Sequence, residues 1–482
     1  MASERESRNQ AFILWCLTAA IVLGILNALA LSRSGHWSCP PLPHGDGPDY
    51  ESIGYSIARG EGFQFAWDDP DWQSPYRTSE HASEYSQFER KDWPGETTSR
   101  PPALPWLIAV VYRSFGRNPM AFAAIRSLAL LALTSAGIIA IALARSWTEQ
   151  LRINGRSIRG PGIHIAALVA LSLAAADRTV KQYTQDFLTE PWALLLLTVL
   201  AWILTRWSQN PRDSRWGMWG GFLFGWMVLF RSLFIVWLPF LLIGLVWISR
   251  TAPTPKNGSD ELSDSEPQTE QVQSRFERGT WQPIAAFVIC FLLLVGPWWI
   301  RNCWVAESFL PLGGQGAASL RGGYSDEALA DWGNWHPEAE IAMQNSLDQR
   351  PESLRWTAAN REVALAALAT QQTSEWVANH SIHLPELIAK RWISHWGPWR
   401  IDHLIWKLLA WTGLGSLFIA NRRLGIALAT LLVADSLSIA MLYETGGRFL
   451  IPLHAVLYAL AAVGVVSITA RIWPQRLSCV EA

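Results

Sequence analysis

Three carboxylates, Asp46, Asp49 and Glu51, fall within six positions of the stretch CPPLPHGDGPDYESIGYSIARGEGF, residues 39–63. Carboxylates set this close support two chemistries. One of them can take a proton from an incoming hydroxyl as a general base, or several can hold a divalent cation, Mg or Mn, through oxygen ligands. A solvated acidic loop is the plainer alternative. Further along, single charges recur at the ends of apolar runs. Asp186 and Glu190 stand in DRTVKQYTQDFLTEPWALL, Arg231 in GGFLFGWMVLFRSLF, Arg301 and Asn302 in PWWIRNCWVAESFLPL, and Glu444 and Arg448 in YETGGRFLIPLHAVL. One such arginine commonly snorkels to lipid headgroups. Several arginines recurring with carboxylates at the ends of apolar runs say more together than any one of them does. Arg126 and Asp435 fall deeper in apolar runs, where a charge costs about 2.5–3.5 kcal/mol, so each needs a partner. His44 and His454 are read as structural rather than as metal ligands.

Whether these charges share one face is a question of topology. The 482 residues are 50% hydrophobic and 16% charged, with 29 tryptophans, against about 25% charged in soluble domains. With repeated apolar runs of about 20 residues, this describes an all-α polytopic membrane protein. A net charge of -1 leaves no basic face for nucleic acid. Of the five cysteines none shows metal-ligand spacing, and Cys39 with Cys303 is the pair that can meet outside the membrane.

Crossings are expected near 11–32, 120–144, 160–176, 186–205, 215–230, 232–249, 281–300, 403–420, 424–442 and 449–471, about ten within a range of 9–13. The first reads as an uncleaved signal anchor, its apolar core being longer than a cleavable signal needs. The stretch 101–116, PPALPWLIAVVYRSFG, is short, led by prolines and broken by Arg113, so it reads as a helix lying at the membrane surface. This threading puts Arg145, Arg152, Arg156 and Arg159, then Arg206, Arg212 and Arg215, then Arg422 and Arg423, and Arg471 and Arg476 on the inner side, as the positive-inside rule requires.

The chain then divides into a membrane module, 1–300, a second external segment, 301–402, and C-terminal membrane helices, 403–482. The module contains the first external loop, 33–119, and a polar cytoplasmic linker, 250–280, low in aromatics and expected to be disordered. Tyr50, Ile53, Ile57 and Ala58 fall on one side of a short amphipathic helix that Gly60 and Gly62 would end. That helix is expected to rest on the membrane and hold its carboxylates at the lipid–water boundary.

The ordered motifs DGPDYESIGYSIARGEGF, RPPALPWLIAVVYRSFG, LTEPWALLLL, GGFLFGWMVLFR, PWWIRN and GGRFLIPLHAVLYAL span about 45–465. Together they resemble the GT-C superfamily of membrane glycosyltransferases, above all the bacterial branch related to protein O-mannosyltransferases and lipid A aminoarabinose transferases. The region 313–402 has little that matches. The resemblance implies a GT-C-like fold in the plasma (inner) membrane with its active site on the extracytoplasmic face. It also implies a sugar donor carried on polyprenyl phosphate and a first-loop aspartate as general base. Asp46, four positions before Tyr50, best matches that aspartate and Asp49 is the second choice, since the adjacent Asp-Glu pair frequent in the family is missing here. Tyr50, Glu190, Arg231, Arg301, Asn302 and Arg448 are then the substrate-binding candidates, with protein, lipid or glycan as acceptor. The alternative is a multi-pass transporter or flippase of a lipid-linked or anionic solute.

Overall fold

The computed structural model describes residues 2–43, 45–77, 93–153, 156–158, 160–251, 269–397 and 401–473; His44 and most of the expected linker 250–280 lie outside them. The described residues are helical apart from turns and a two-residue ladder that pairs Arg152 with Ser157 and Ile153 with Arg156. Among the described residues eight helices are long and apolar enough to cross a membrane: Gln10–Arg33, Pro119–Thr148, Glu190–Gln209, Ser232–Arg250, Trp281–Ala306, His403–Ala420, Arg422–Met441 and Arg448–Ile472. The two other expected crossings form Pro161–Ala176 and Ser214–Phe230, of 16 and 17 residues. At about 1.5 Å per residue these reach only ~25 Å, the low edge of what spans a bilayer. Eight is therefore the number that length and composition support, against ten expected.

Close packing explains how the short helices are held. In Ser214–Phe230, Gly217 and Gly221 face the backbone of Trp281–Ala306, where an added Cβ would come within 2.0 Å of the Pro283 and Phe287 carbonyl oxygens. Small residues four apart let two membrane helices approach at this distance. The last span forms the axis of the bundle, with 94% of its apolar window buried, whereas the first span is peripheral at 17%.

The loop after the first span is folded inward. Residues 101–116 form the helix Ala103–Phe115, 13 residues long and, at about 20 Å, too short to cross. It packs on the helix Gly47–Arg59, which ends at Gly60 with φ +83°. A Cβ on Gly54 would lie 2.6 Å from Ile108 Cγ2. Here the structure departs from expectation: every residue from Gly47 to Ser56 is buried, so this helix is an interior element rather than one resting on a membrane. Its polar side is covered as well as its apolar side, through Glu51. That carboxylate is fully buried and accepts from Tyr112 Oη at 2.6 Å, Arg117 Nε at 2.6 Å and the Trp72 indole N–H.

The segment 301–402 contains a cluster of helices, chiefly Gly314–Gly323, Pro337–Asp348, Ala358–Asn379 and Leu384–Trp396, with a small core of Ala318, Met343, Leu347, Leu365 and Ala369. Glu362 fastens it to the first loop by accepting from Thr98 N at 2.7 Å and from the Thr97 and Thr98 hydroxyls.

Candidate active site

Four chain segments that sequence separates widely meet at one end of the bundle around a cavity of about 160 Å³. Asp46 precedes the helix Gly47–Arg59, Arg100 precedes Ala103–Phe115, Arg231 joins Ser214–Phe230 to the next span, and Arg448 opens the last span. All four line the cavity, with Tyr50. Asp46 Oδ1 lies 2.9 Å from Arg100 Nη2, and Asp46 Oδ2 accepts from Arg448 Nη2 at 2.8 Å. Arg100 also donates from Nε to Asp49 Oδ2 at 3.0 Å and sits 5.3 Å from the Tyr50 ring centroid. Behind the wall, fully buried Glu190 accepts from Arg231 Nη1 at 3.2 Å and from Arg448 Nε.

Two carboxylates thus share Arg448, and two share Arg100. Burial pushes the Asp46 carboxyl up, but the Arg100 and Arg448 guanidiniums outweigh it and hold the group well below the usual carboxylate range. The carboxylates Asp46, Asp49 and Glu190 balance the cations Arg100, Arg231 and Arg448. Arginine has five N–H donors. Arg231 commits one nitrogen to Glu190, and its guanidinium carbon stands 4.5 Å from the Phe449 ring centroid. Donors therefore remain for an anion in the cavity.

Two interactions fix the approach of the chain to Asp46. Arg126, fully buried, donates to the carbonyls of Trp37 at 3.3 Å, Cys39 at 2.6 Å, Pro40 at 3.2 Å and Gln185 at 2.8 Å. The charge that seemed out of place in an apolar run is thus a staple between the 37–40 segment and the turn before Glu190. Asp186 Oδ1 accepts from Leu42 N at 3.3 Å and Phe187 N at 2.8 Å, and burial pushes its carboxyl up to about 6. Gly47 packs on that carboxylate so closely that a Cβ would lie 2.5 Å from it.

Arg448 is fixed from the other side. Glu444 Oε1 accepts from Thr445 N at 2.8 Å and Gly447 N at 2.7 Å, closing the turn that presents Arg448. Its other oxygen lies 2.8 Å from His395 Nδ1, and His395 Nε2 lies 2.5 Å from Asp435 Oδ2. All three side chains are 0–3% exposed. This is the partner that Asp435 needs. Burial pushes the His395 imidazolium down, but Asp435 and Glu444 outweigh it and raise the group to about 9. Asn334 Oδ1 accepts from Gly446 N at 3.2 Å and Ser394 Oγ at 3.1 Å, tying the 301–402 segment to the same turn.

The remaining sequence candidates lie elsewhere. Arg301 and Asn302 are not among the residues lining the cavity. Arg301 donates to Thr97 O at 2.6 Å and to Asn302 Oδ1 at 3.0 Å, lies 3.2 Å from Glu96, and packs over Phe63 and Trp298. It joins the span end to the first loop. Arg100 is the residue that sequence reading passed over. Its one signal is its place directly before Pro101 and Pro102, at the start of the motif RPPALPW. The second segment supplies the far wall: Gln315, Ser319 and Trp335, beside Tyr443 and Thr445.

The donor set does not fit a divalent cation on the first loop. Glu51 is engaged with Arg117, Tyr112 and Trp72, and Asp46 and Asp49 converge on Arg100. Among the described residues no three His, Cys, Asp or Glu side chains gather closely enough to hold a metal ion. Cys39 and Cys303 are both free thiols, so the pairing considered from sequence is not made. His454 Nδ1 lies 2.7 Å from Asp177, inside the protein.

No family model matches the chain, and no curated protein matches it. Among solved structures it is similar to the crystal structure of ArnT from Cupriavidus metallidurans bound to undecaprenyl phosphate, at 15% identity and a TM-score of 0.36, over 97% of this chain and 80% of that one.

Proposed function

We propose that this chain is an integral-membrane glycosyltransferase that moves a sugar from a polyprenyl-phosphate donor to an acceptor hydroxyl or amine on the extracytoplasmic face. The observation that carries the reading is a carboxylate, Asp46, held between Arg100 and Arg448 at the wall of a cavity that Arg231 also lines. A donor whose carrier stays in the bilayer keeps its scissile bond at the membrane boundary, and the cavity lies at one end of the spans. In the reaction Asp46 takes the acceptor proton while the acceptor atom bonds to the anomeric carbon from the face opposite the phosphate. The bond from that carbon to the phosphate oxygen breaks, and its electron pair leaves with polyprenyl phosphate, so the configuration inverts. Arg231 and Arg448 stabilise the charge that develops on the phosphate.

A carboxylate gripped by two guanidiniums is a poor base. An incoming phosphate competes for Arg448 and Arg100, and each contact that it draws away makes Asp46 more basic when the donor is in place. Asp49 keeps Arg100 anchored during the exchange. A transporter would set its polar groups near mid-membrane, whereas this cluster stands at span ends.

The test is turnover of a polyprenyl-phosphate sugar in membranes. Asp46→Asn should lower kcat by about 10²–10⁴, the usual contribution of a general base. Arg448→Ala should raise KM for the donor more than for the acceptor. A near-normal rate for Asp46→Asn at normal expression would remove Asp46 and turn attention to Asp49.

A further inference from the structure

At the end of the bundle opposite the Asp46 cavity, a groove of about 490 Å³ opens between the helices Glu190–Gln209 and Ser214–Phe230. We infer that it binds an anionic membrane glycerophospholipid, an assignment independent of the catalytic reading. Its walls are aromatic: Trp202 and Trp216 meet edge to face with centroids 5.7 Å apart, and Trp219 and Phe222 continue the surface. Trp219 is 60% exposed and Phe222 42%, on helices that lie within the membrane bundle, so the groove faces lipid. Trp202 lies seven residues from Gln209 and Phe222 eight from Ser214. At about 1.5 Å per residue the groove reaches ~10–12 Å in from the bundle end, the depth of a headgroup and its ester linkages.

Two features select the ligand. Trp216 lines the groove, and its indole nitrogen is buried and has no hydrogen-bond partner. A donor in that state calls for an acceptor, and a phospholipid brings ester carbonyl and phosphate oxygens. Charge at the mouth is net positive: Arg215 lines the groove, and Arg206 stands 5.6 Å over Trp202 with Gln209 at 3.5 Å as its other contact. The one carboxylate, Asp213, accepts from Arg215 N at 3.0 Å as the cap of its helix. Basic pockets between membrane helices on the arginine-rich side suit anionic headgroups, and tryptophans at that level suit the interface.

The experiment is native mass spectrometry of the full chain in detergent, titrated with phosphatidylglycerol and with phosphatidylcholine of the same acyl chains. Wild type should retain phosphatidylglycerol several-fold more, and Arg206→Gln with Arg215→Gln should abolish the preference. Trp216→Phe, which keeps a ring in the groove, should lower phosphatidylglycerol retention with the melting temperature unchanged. Equal retention of both lipids by wild type would overturn the inference. So would an undiminished preference in the double variant, which would place the lipid on other cations, or full retention by Trp216→Phe.

Discussion

Asp46, half-buried, and Asp186, buried, stand within one small region, yet their surroundings drive them in opposite directions. Asp46 is held by two guanidiniums, whereas Asp186 accepts from two backbone N–H groups. The Asp186 carboxyl at about 6 stands above its ordinary unfolded value of about 3.9. Between those values the folded protein binds more protons than the unfolded one, so this group makes stability fall as pH rises through the window. Asp186→Asn keeps the acceptor for Leu42 and Phe187 and has nothing to titrate. Its melting temperature relative to wild type should therefore climb between pH 4 and pH 7 and level off above. Parallel curves across that window would show that burial does not raise this group. Sequence alone shows neither outcome, because partners decide it. Glu51, five positions from the proposed base, is sealed in an internal cluster by Arg117, and Arg100 reaches the site from a stretch with no other charge between it and Arg113. Spacing along the chain marks Asp46, Arg231 and Arg448 but cannot say that Arg301 turns away toward Glu96.

At the scale of elements, the turn 444–447 is the joint on which the site depends. It carries Arg448, it is closed by Glu444, and Glu444 is paired through His395 to Asp435. With His395 raised to about 9, its contribution to stability is fully present below about 6.5 and is lost as pH rises through about 9. His395→Gln leaves two buried carboxylates without their cation. Loss of one partner from a buried ion pair costs about 3–5 kcal/mol, so denaturant unfolding in detergent should show a loss of that size at pH 7. That loss should shrink as pH passes about 9, where wild type also lacks the charge. A variant as stable as wild type at pH 7 would mean that the imidazolium does not hold the turn. Helix positions were legible because an apolar run of about 20 residues has few other uses. The relay was not, since Asp435, Glu444 and His395 stand on three elements and none of them has a distinctive neighbour in sequence. The helix Gly47–Arg59 was legible as a helix but not as a buried one, because periodicity reports an apolar face and not what covers the polar one.

For the whole molecule, the arrangement is two-ended. Asp46, Arg100, Arg231 and Arg448 gather at one end, with Gln315, Ser319 and Trp335 of the 301–402 segment across the cavity from them. Arg145, Arg206, Arg215, Arg422 and Arg423 lie at helix ends on the other. The first end is charge-balanced and has a cavity. The second is basic and has the aromatic groove. A polyprenyl phosphate would find arginines at either end, which makes its resting place the decisive observation. A structure of the full chain with bound undecaprenyl phosphate should show the phosphate within hydrogen-bond distance of Arg231 and Arg448, with Asp46 released from at least one guanidinium. A phosphate seated at Arg206 and Arg215 instead, with the Asp46 cavity unchanged, would contradict the proposed enzyme.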